Sequence, residues 1–220
     1  MGFTGIPDDA FDFFRELGLD NSKSFWRRHR DRHERVVRGP MADLVAELAP
    51  EFGELRMLRP QRDTRASHDK SPYKTYQGAL VDLEPGLGFW LHLDASGLHA
   101  TGRYYSRAPQ ETAAYRSVVA EDRGGELQSL VDGLETLGYT VGGATLQTRP
   151  RGIRADHPRV ALLRHRTLDI GRSCDRTAAG LPSAAEWVAL TWRELRPTLD
   201  WLSVHVCPVA RALRRSETAR

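Results

Sequence analysis

Apolar positions in the first fifty residues recur at helical spacing. Between Pro7 and Gly18, residues Ala10, Phe13, Phe14 and Leu17 share one face; Asp8 and Asp9 suit an N-terminal dipole, and Gly18 is the stop. Asn21 is the expected N-cap of a second helix running to about Arg38 and ended by Gly39-Pro40. One face of it carries Phe25, His29, His33 and Val36 or Val37. The others carry a run of cations from Lys23 to Arg38 that includes Arg27, Arg30 and Arg35. A third helix, Met41 to about Ala49, brings Leu44, Val45 and Leu48 inward.

The period then changes. Leu55–Leu58 reads as a short strand, and the pattern shifts toward alternation over Gln77–Leu83 and Gly88–Leu93. Asp94-Ala95-Ser96-Gly97 is turn chemistry, with Leu98–Tyr105 returning as the second arm of a hairpin. Helices are expected over Pro109–Ala120 and Gly125–Leu137, one or two strands within Tyr139–Thr148, a short helix from His157 to about His165, and a strand over Thr167–Gly171. A long helix covers Ser183 to about Val206, with Pro197 expected to kink it. Helices first, then strands joined by short turns, predict an α+β fold: N-terminal helices packed on a mainly antiparallel sheet, with a long C-terminal helix. With no repeat and no linker, residues 1–210 are expected to form a single domain and 211–220 a polar tail.

Composition narrows the function classes modestly. The 220 residues are 40% hydrophobic and 28% charged, ordinary values for a globular chain, with a net charge of +3. Cys174 and Cys207 stand apart with no metal-ligand or disulfide spacing. The N-terminus lacks the basic and apolar regions of a signal peptide, and no apolar stretch reaches bilayer length. A cytoplasmic protein with no membrane partner is the expectation.

The chemistry concentrates between Arg62 and Tyr76, RDTRASHDKSPYKTY. This stretch resembles the signature of an uncharacterised family, domain of unknown function 2461, whose pattern runs Arg-Asp-x-Arg-Phe-Ser-Lys-Asp-Lys-x-Pro-Tyr-Lys. DNSKSFWRRHRDRHERVVRGP is similar to that family's Asn-rich turn, aromatic pair and long helix. RPRGIRADHPRVALLRHRTL is similar to its later proline, glycine and His-Pro block. The resemblance spans Phe11 to Leu202 and implies a shared fold, with no established activity. Ala66 and His68 depart from the pattern, which has phenylalanine and lysine there. Arg103, Tyr104 and Tyr105 replace a segment richer in glycine and tryptophan.

Arginine offers a planar fork of donors and lysine a point charge, both suited to oxyanions. Arg59, Arg62, Arg65, Lys70 and Lys74 supply that charge; Ser67, Ser71, Tyr73 and Thr75 add neutral donors. Pro72 stiffens the loop, and Asp63 and Asp69 orient the cations. The expected function is binding of an anionic, phosphate- or carboxylate-bearing small molecule through Arg62, Arg65, Ser67, Asp69, Lys70, Tyr73 and Lys74, with no cofactor. If binding leads to turnover, Asp69 and Lys70 are the acid–base candidates. Two alternatives stay open. The basic second helix and this stretch could form one face for sequence-tolerant nucleic-acid binding. Equally, Asp63–Arg65 and Asp69–Lys74 pairs could make the stretch an internal salt-bridge network that only holds the fold.

Catalytic and metal motifs are weak by comparison. Ser67-x-x-Lys70 lacks a continuing helix, because Pro72 follows, and lacks its companion motifs. Ser67, His68 and Asp69 are triad residue types, but neighbours in sequence rarely reach triad geometry. His29 and His33 have ligand spacing without an acidic third partner, and His92 facing His99 across the hairpin reads as packing. No metal site is expected. Of the adjacent Phe25 and Trp26, one ring is expected to leave the core face, and Trp26 is the aromatic to watch.

Overall fold

Helix α1 (Asp8–Leu19) buries Ala10, Phe11, Phe13, Phe14 and Leu17, the predicted stripe with Phe11 added. The computed structural model describes residues 2–65, 69–106 and 108–218, with side chains through 212. Helix α2 (Lys23–His33) is capped by Ser22, whose Oγ accepts from the Phe25 amide at 3.1 Å, and not by Asn21. Gly39-Pro40 does not end the helical run either. A π-helical turn, Glu34–Arg38, leads directly into α3 (Gly39–Phe52), and the Gly39 amide bonds to Glu34 O, five residues back. Pro40 follows directly on this π turn and does not break the run.

The strands are β1 (Arg56–Met57), β2 (Tyr76–Glu84), β3 (Leu87–Asp94), β4 (Leu98–Tyr105), β5 (Thr140–Gly142) and β6 (Thr167–Cys174). They form one antiparallel sheet in the order β1-β2-β3-β4-β6-β5. Its edge strands have two and three residues, which leaves little unpaired backbone to recruit another chain. β3 and β4 alternate buried and half-buried positions along most of their length, as their sequence period predicts.

Helices α4 (Pro109–Ala120), α5 (Gly124–Thr136) and α6 (Val160–Leu163) fall within one or two residues of, or inside, their predicted spans. After the four-residue α7 (Arg176–Ala179), the long helix α8 covers Ala184–His205. A further helix, α9 (Cys207–Thr218), takes in most of the segment expected to be a tail. The fold class is α+β, as expected.

By its contacts the chain divides into two compact units interleaved in sequence: Met1–Val81 with Trp90–Ala100 and Ser173–Leu190, and Asp82–Phe89 with Thr101–Arg172 and Thr191–Arg220. The first has an aromatic centre, where Phe13 lies against Phe14, Phe25, Trp26 and the buried His33. Arg32 fastens α2 to α1, donating to Asp9 Oδ1 at 2.5 Å and Glu16 Oε2 at 2.6 Å. These bonds hold both carboxyls below their ordinary range. In the second unit, fully buried Trp192 stacks on Phe89 and Tyr104 stacks on Tyr115. Rings of this size contribute about 2–3 kcal/mol each by burial.

Candidate functional site

The Arg62–Tyr76 stretch forms the end of a two-stranded arm that continues β1 and β2. Arg56 pairs with Leu80 and Met57 with Ala79, and Leu58 N donates to Gly78 O. Farther out the ladder resumes with Gln61 opposite Tyr73, Lys74 N on Pro60 O and Arg62 N on Pro72 O. Between the Leu58–Gly78 and Pro60–Lys74 bonds, residues 75–77 oppose Arg59 alone, so the arm carries a bulge. Buried Gln77 fills the offset, donating Nε2 to Leu58 O and Gly78 O. Residues 63–65 and 69–71 therefore lie at the tip of the arm. Ser67 and its neighbours Ala66 and His68 lie outside the described residues.

Asn21 holds the base of the arm. Its Nδ2 donates to Tyr73 O and its Oδ1 accepts from Tyr73 N, both at 3.0 Å. Half-buried Trp26 keeps one edge against Phe13 and His33 and stacks on the Tyr73 ring at 4.4 Å and 11°, so it joins the aromatic centre to the arm. Tyr73 is thus a buried anchor and not an exposed donor.

The predicted cations divide into two groups. At the tip, Arg65 forks onto Asp63 (Nε–Oδ1 3.0 Å, Nη2–Oδ2 2.6 Å), and Lys70 Nζ donates to Thr64 O at 2.9 Å. Both side chains are spent locally, and both residues are exposed. Asp69 Oδ1 accepts from the Ser71 amide at 2.9 Å, and hydrogen bonding to Ser71 holds its carboxyl below the usual range. Asp69 and Lys70 do not share the dry pocket that acid–base chemistry would need.

At the base the balance differs. Lys74 Nζ reaches in to Arg59 O at 2.6 Å and Gln61 O at 3.1 Å, rather than to Asp69 as the network reading expected. Burial, and then the charges of Arg59 and Arg62, depress its pKa. Arg62, with 24% of its side chain exposed, pairs with Asp69 Oδ2 at 3.1 Å. Its Nε is buried and finds no hydrogen-bond partner among the described residues. Arg59, itself exposed, completes this corner.

On α2 many cations are already matched by acids: Arg30 with Asp31, Arg32 with Asp9 and Glu16, and Arg28 with Asp20 at 3.9 Å. That pairing weakens the field a nucleic-acid face would need. The His29–His33 seam is aromatic packing: His29 lies on Phe25, and burial followed by the charge of Arg38 pushes His33 down to about 4. The half-buried Cys174 thiol is pushed up to about 11, chiefly by burial, and so is not a poised nucleophile.

Two further groupings carry chemistry. On the β3–β4 hairpin, His92 Nε2 lies 3.1 Å from Asp94 Oδ2 and His99 Nε2 lies 3.3 Å from Asp94 Oδ1. Tyr76, the last residue of the arm, stacks on the His92 ring at 4.3 Å and 15°. In the sequence Asp94 reads as a turn former; the His-x-Asp spacing, which puts both side chains on one face of a strand, is the signal for the grouping. In the other unit, Arg116, Arg149 and Arg151 line an open groove of about 700 Å³ with Thr148 and Gly152. Nη2 of Arg116 is buried there without a hydrogen-bond partner among the described residues.

A family model described as a conserved hypothetical protein, DUF2461, matches residues 9–201. The chain belongs to that family. This DUF2461 member thus carries its most distinctive motif on the arm, from Arg62 to Lys74, and its Pro150–Gly152 block on the arginine-lined groove. No curated protein and no solved structure matches the chain. Among the described residues, no helix is long and apolar enough to cross a membrane.

Proposed function

We propose that the protein binds an anionic small molecule, bearing a phosphate or carboxylate, at the corner formed by Arg59, Arg62 and Lys74. One observation carries this reading: Lys74 is half-buried, held by two carbonyl oxygens, and its charge is disfavoured first by burial and then by both arginines. An oxyanion there would relieve the repulsion and accept from donors already in place. The role assigned to Arg65 and Lys70 shifts accordingly, from contacting the ligand to shaping the tip.

The test is a thermal-shift and titration series at low salt with inorganic phosphate, sugar phosphates, nucleotides, dicarboxylates and short single-stranded DNA. Arg59→Ala is the first variant, because the exposed side chain can be removed without disturbing the core. A small anion should raise the wild-type midpoint, and the variant should bind it about 10- to 100-fold more weakly, as loss of one charge-assisted hydrogen bond predicts. If no small anion shifts the wild type, or if Arg59→Ala binds it equally well, the reading is wrong. A shift with DNA alone would favour the nucleic-acid alternative. The absence of any shift, together with a Lys74→Gln variant that melts early, would leave the arm a structural clamp.

A further inference from the structure

The β3–β4 hairpin alternates strictly around its turn. Leu91, Leu93, Leu98 and Ala100 are buried, while His92, Asp94 and His99 are half-buried on the opposite side of the pleat. One face of the hairpin therefore presents two imidazoles and a carboxylate. Their ligand atoms all lie within 4.8 Å of one another. The three come together because His92 and Asp94 are two residues apart on β3 and the Asp94–Gly97 turn, closed by Asp94 N on Gly97 O at 3.1 Å, returns His99 beside them.

Two features fix these side chains in advance. The Ser96 amide and hydroxyl donate to Asp94 Oδ1 at 2.7 and 2.6 Å, which sets the plane of the carboxylate. The Tyr76 ring lies flat on His92 and restricts rotation of that imidazole. Such supporting contacts are what orient ligands in metal centres. The spacing also fits. Donors bound at about 2.0–2.1 Å in tetrahedral geometry stand about 3.3 Å apart; His92 Nε2 is 3.1 Å from Asp94 Oδ2 and His99 Nε2 is 3.3 Å from Asp94 Oδ1, so each imidazole already stands at ligand spacing from one carboxylate oxygen. A metal bound here takes the place of the two Nε2–carboxylate contacts, with each neutral imidazole carrying its proton on Nδ1.

We propose that His92, Asp94 and His99 bind one divalent transition-metal ion, with zinc the first candidate. Two imidazoles and one carboxylate suit zinc, cobalt or nickel better than calcium or magnesium, which prefer oxygen-only shells. Three protein ligands leave at least one coordination position for water or an added ligand, the arrangement of a reactive centre and not of a closed structural site. This inference does not depend on anion binding at Arg59, Arg62 and Lys74.

The experiment is calorimetric titration of untagged, chelator-treated protein with Zn²⁺, repeated with Co²⁺ while recording its visible absorption spectrum. Wild type should bind one ion and give the intense Co²⁺ bands of a low-coordinate site. His99→Ala and His92→Ala should each weaken binding at least tenfold, and the double variant should abolish it, with circular dichroism confirming the fold. Asp94→Asn, which keeps a side-chain oxygen for the Ser96 turn, should also weaken binding at least tenfold. Arg59→Ala should bind metal as the wild type does, which separates failure of this proposal from failure of the anion reading. Absence of Zn²⁺ binding, or unchanged affinity in the double variant, would overturn the assignment.

Discussion

Asn21→Ala is the most informative single change to the arm. It removes one donor and one acceptor from the Tyr73 backbone, both bonds being 3.0 Å long and partly buried. An unsatisfied buried backbone group costs about 1–3 kcal/mol. Partial burial places each loss in the lower half of that range, at about 1.5 kcal/mol, so the pair costs about 3 kcal/mol. Loosening Tyr73 from Trp26 would add about 1 kcal/mol. For a chain of this size about 1 kcal/mol corresponds to about 3 °C, so the midpoint should fall by about 9–12 °C. Urea unfolding followed by tryptophan fluorescence reads the loss directly, with an unchanged slope showing that the extent of unfolding is the same. Asn21→Asp keeps the acceptor and loses the donor, and should recover about half the difference. A loss below about 0.5 kcal/mol for Asn21→Ala would refute the argument that this one side chain moors the arm.

Acid should destabilise the protein through His33, whose pKa falls from 6.5 when unfolded to about 4 when folded. The unfolded state then binds more protons, so stability declines as pH drops through that window, by about 3 kcal/mol in total; His33→Gln should flatten that part of a stability–pH curve measured in urea. Gly5 has φ +105°, and a Cβ there would stand 2.0 Å from Gly180 O, so Gly5→Ala should cost more than about 2 kcal/mol in the same assay. Gly18→Ala, where a Cβ would meet nothing within 4 Å, should be neutral or slightly stabilising.

The hairpin and the helices of the second half were legible because their signals are local. Period-two alternation marks β3 and β4, and Pro109 opens α4 where a first-turn proline belongs. The π turn was not legible, since the Gly39–Glu34 bond leaves no residue-type signature and Gly-Pro reads equally as a break or a start. Asn21 and Ser22 are both good caps; what assigns the cap to Ser22 is the demand of Tyr73, fifty-two residues on. In the candidate site, residue types disclosed the charge but not its partners. Arg62, Arg65 and Lys70 look alike in sequence, yet Asp63 and Thr64 O occupy the last two, while Arg62 retains a buried Nε with no hydrogen-bond partner among the described residues.

The interleaving of the two units has a consequence for synthesis. The unit that holds the arm draws on Met1–Val81 but also on Ser173–Leu190, so it lacks part of itself until residue 190 has left the ribosome. Its counterpart starts at Asp82 and waits for Thr191–Arg220. The usual order, in which an N-terminal unit folds while the rest is still being translated, is closed to this chain. Most of the protein must be made before either half has all of its own residues. For the same reason no single cut in the backbone yields a fragment that contains one complete unit and nothing of the other.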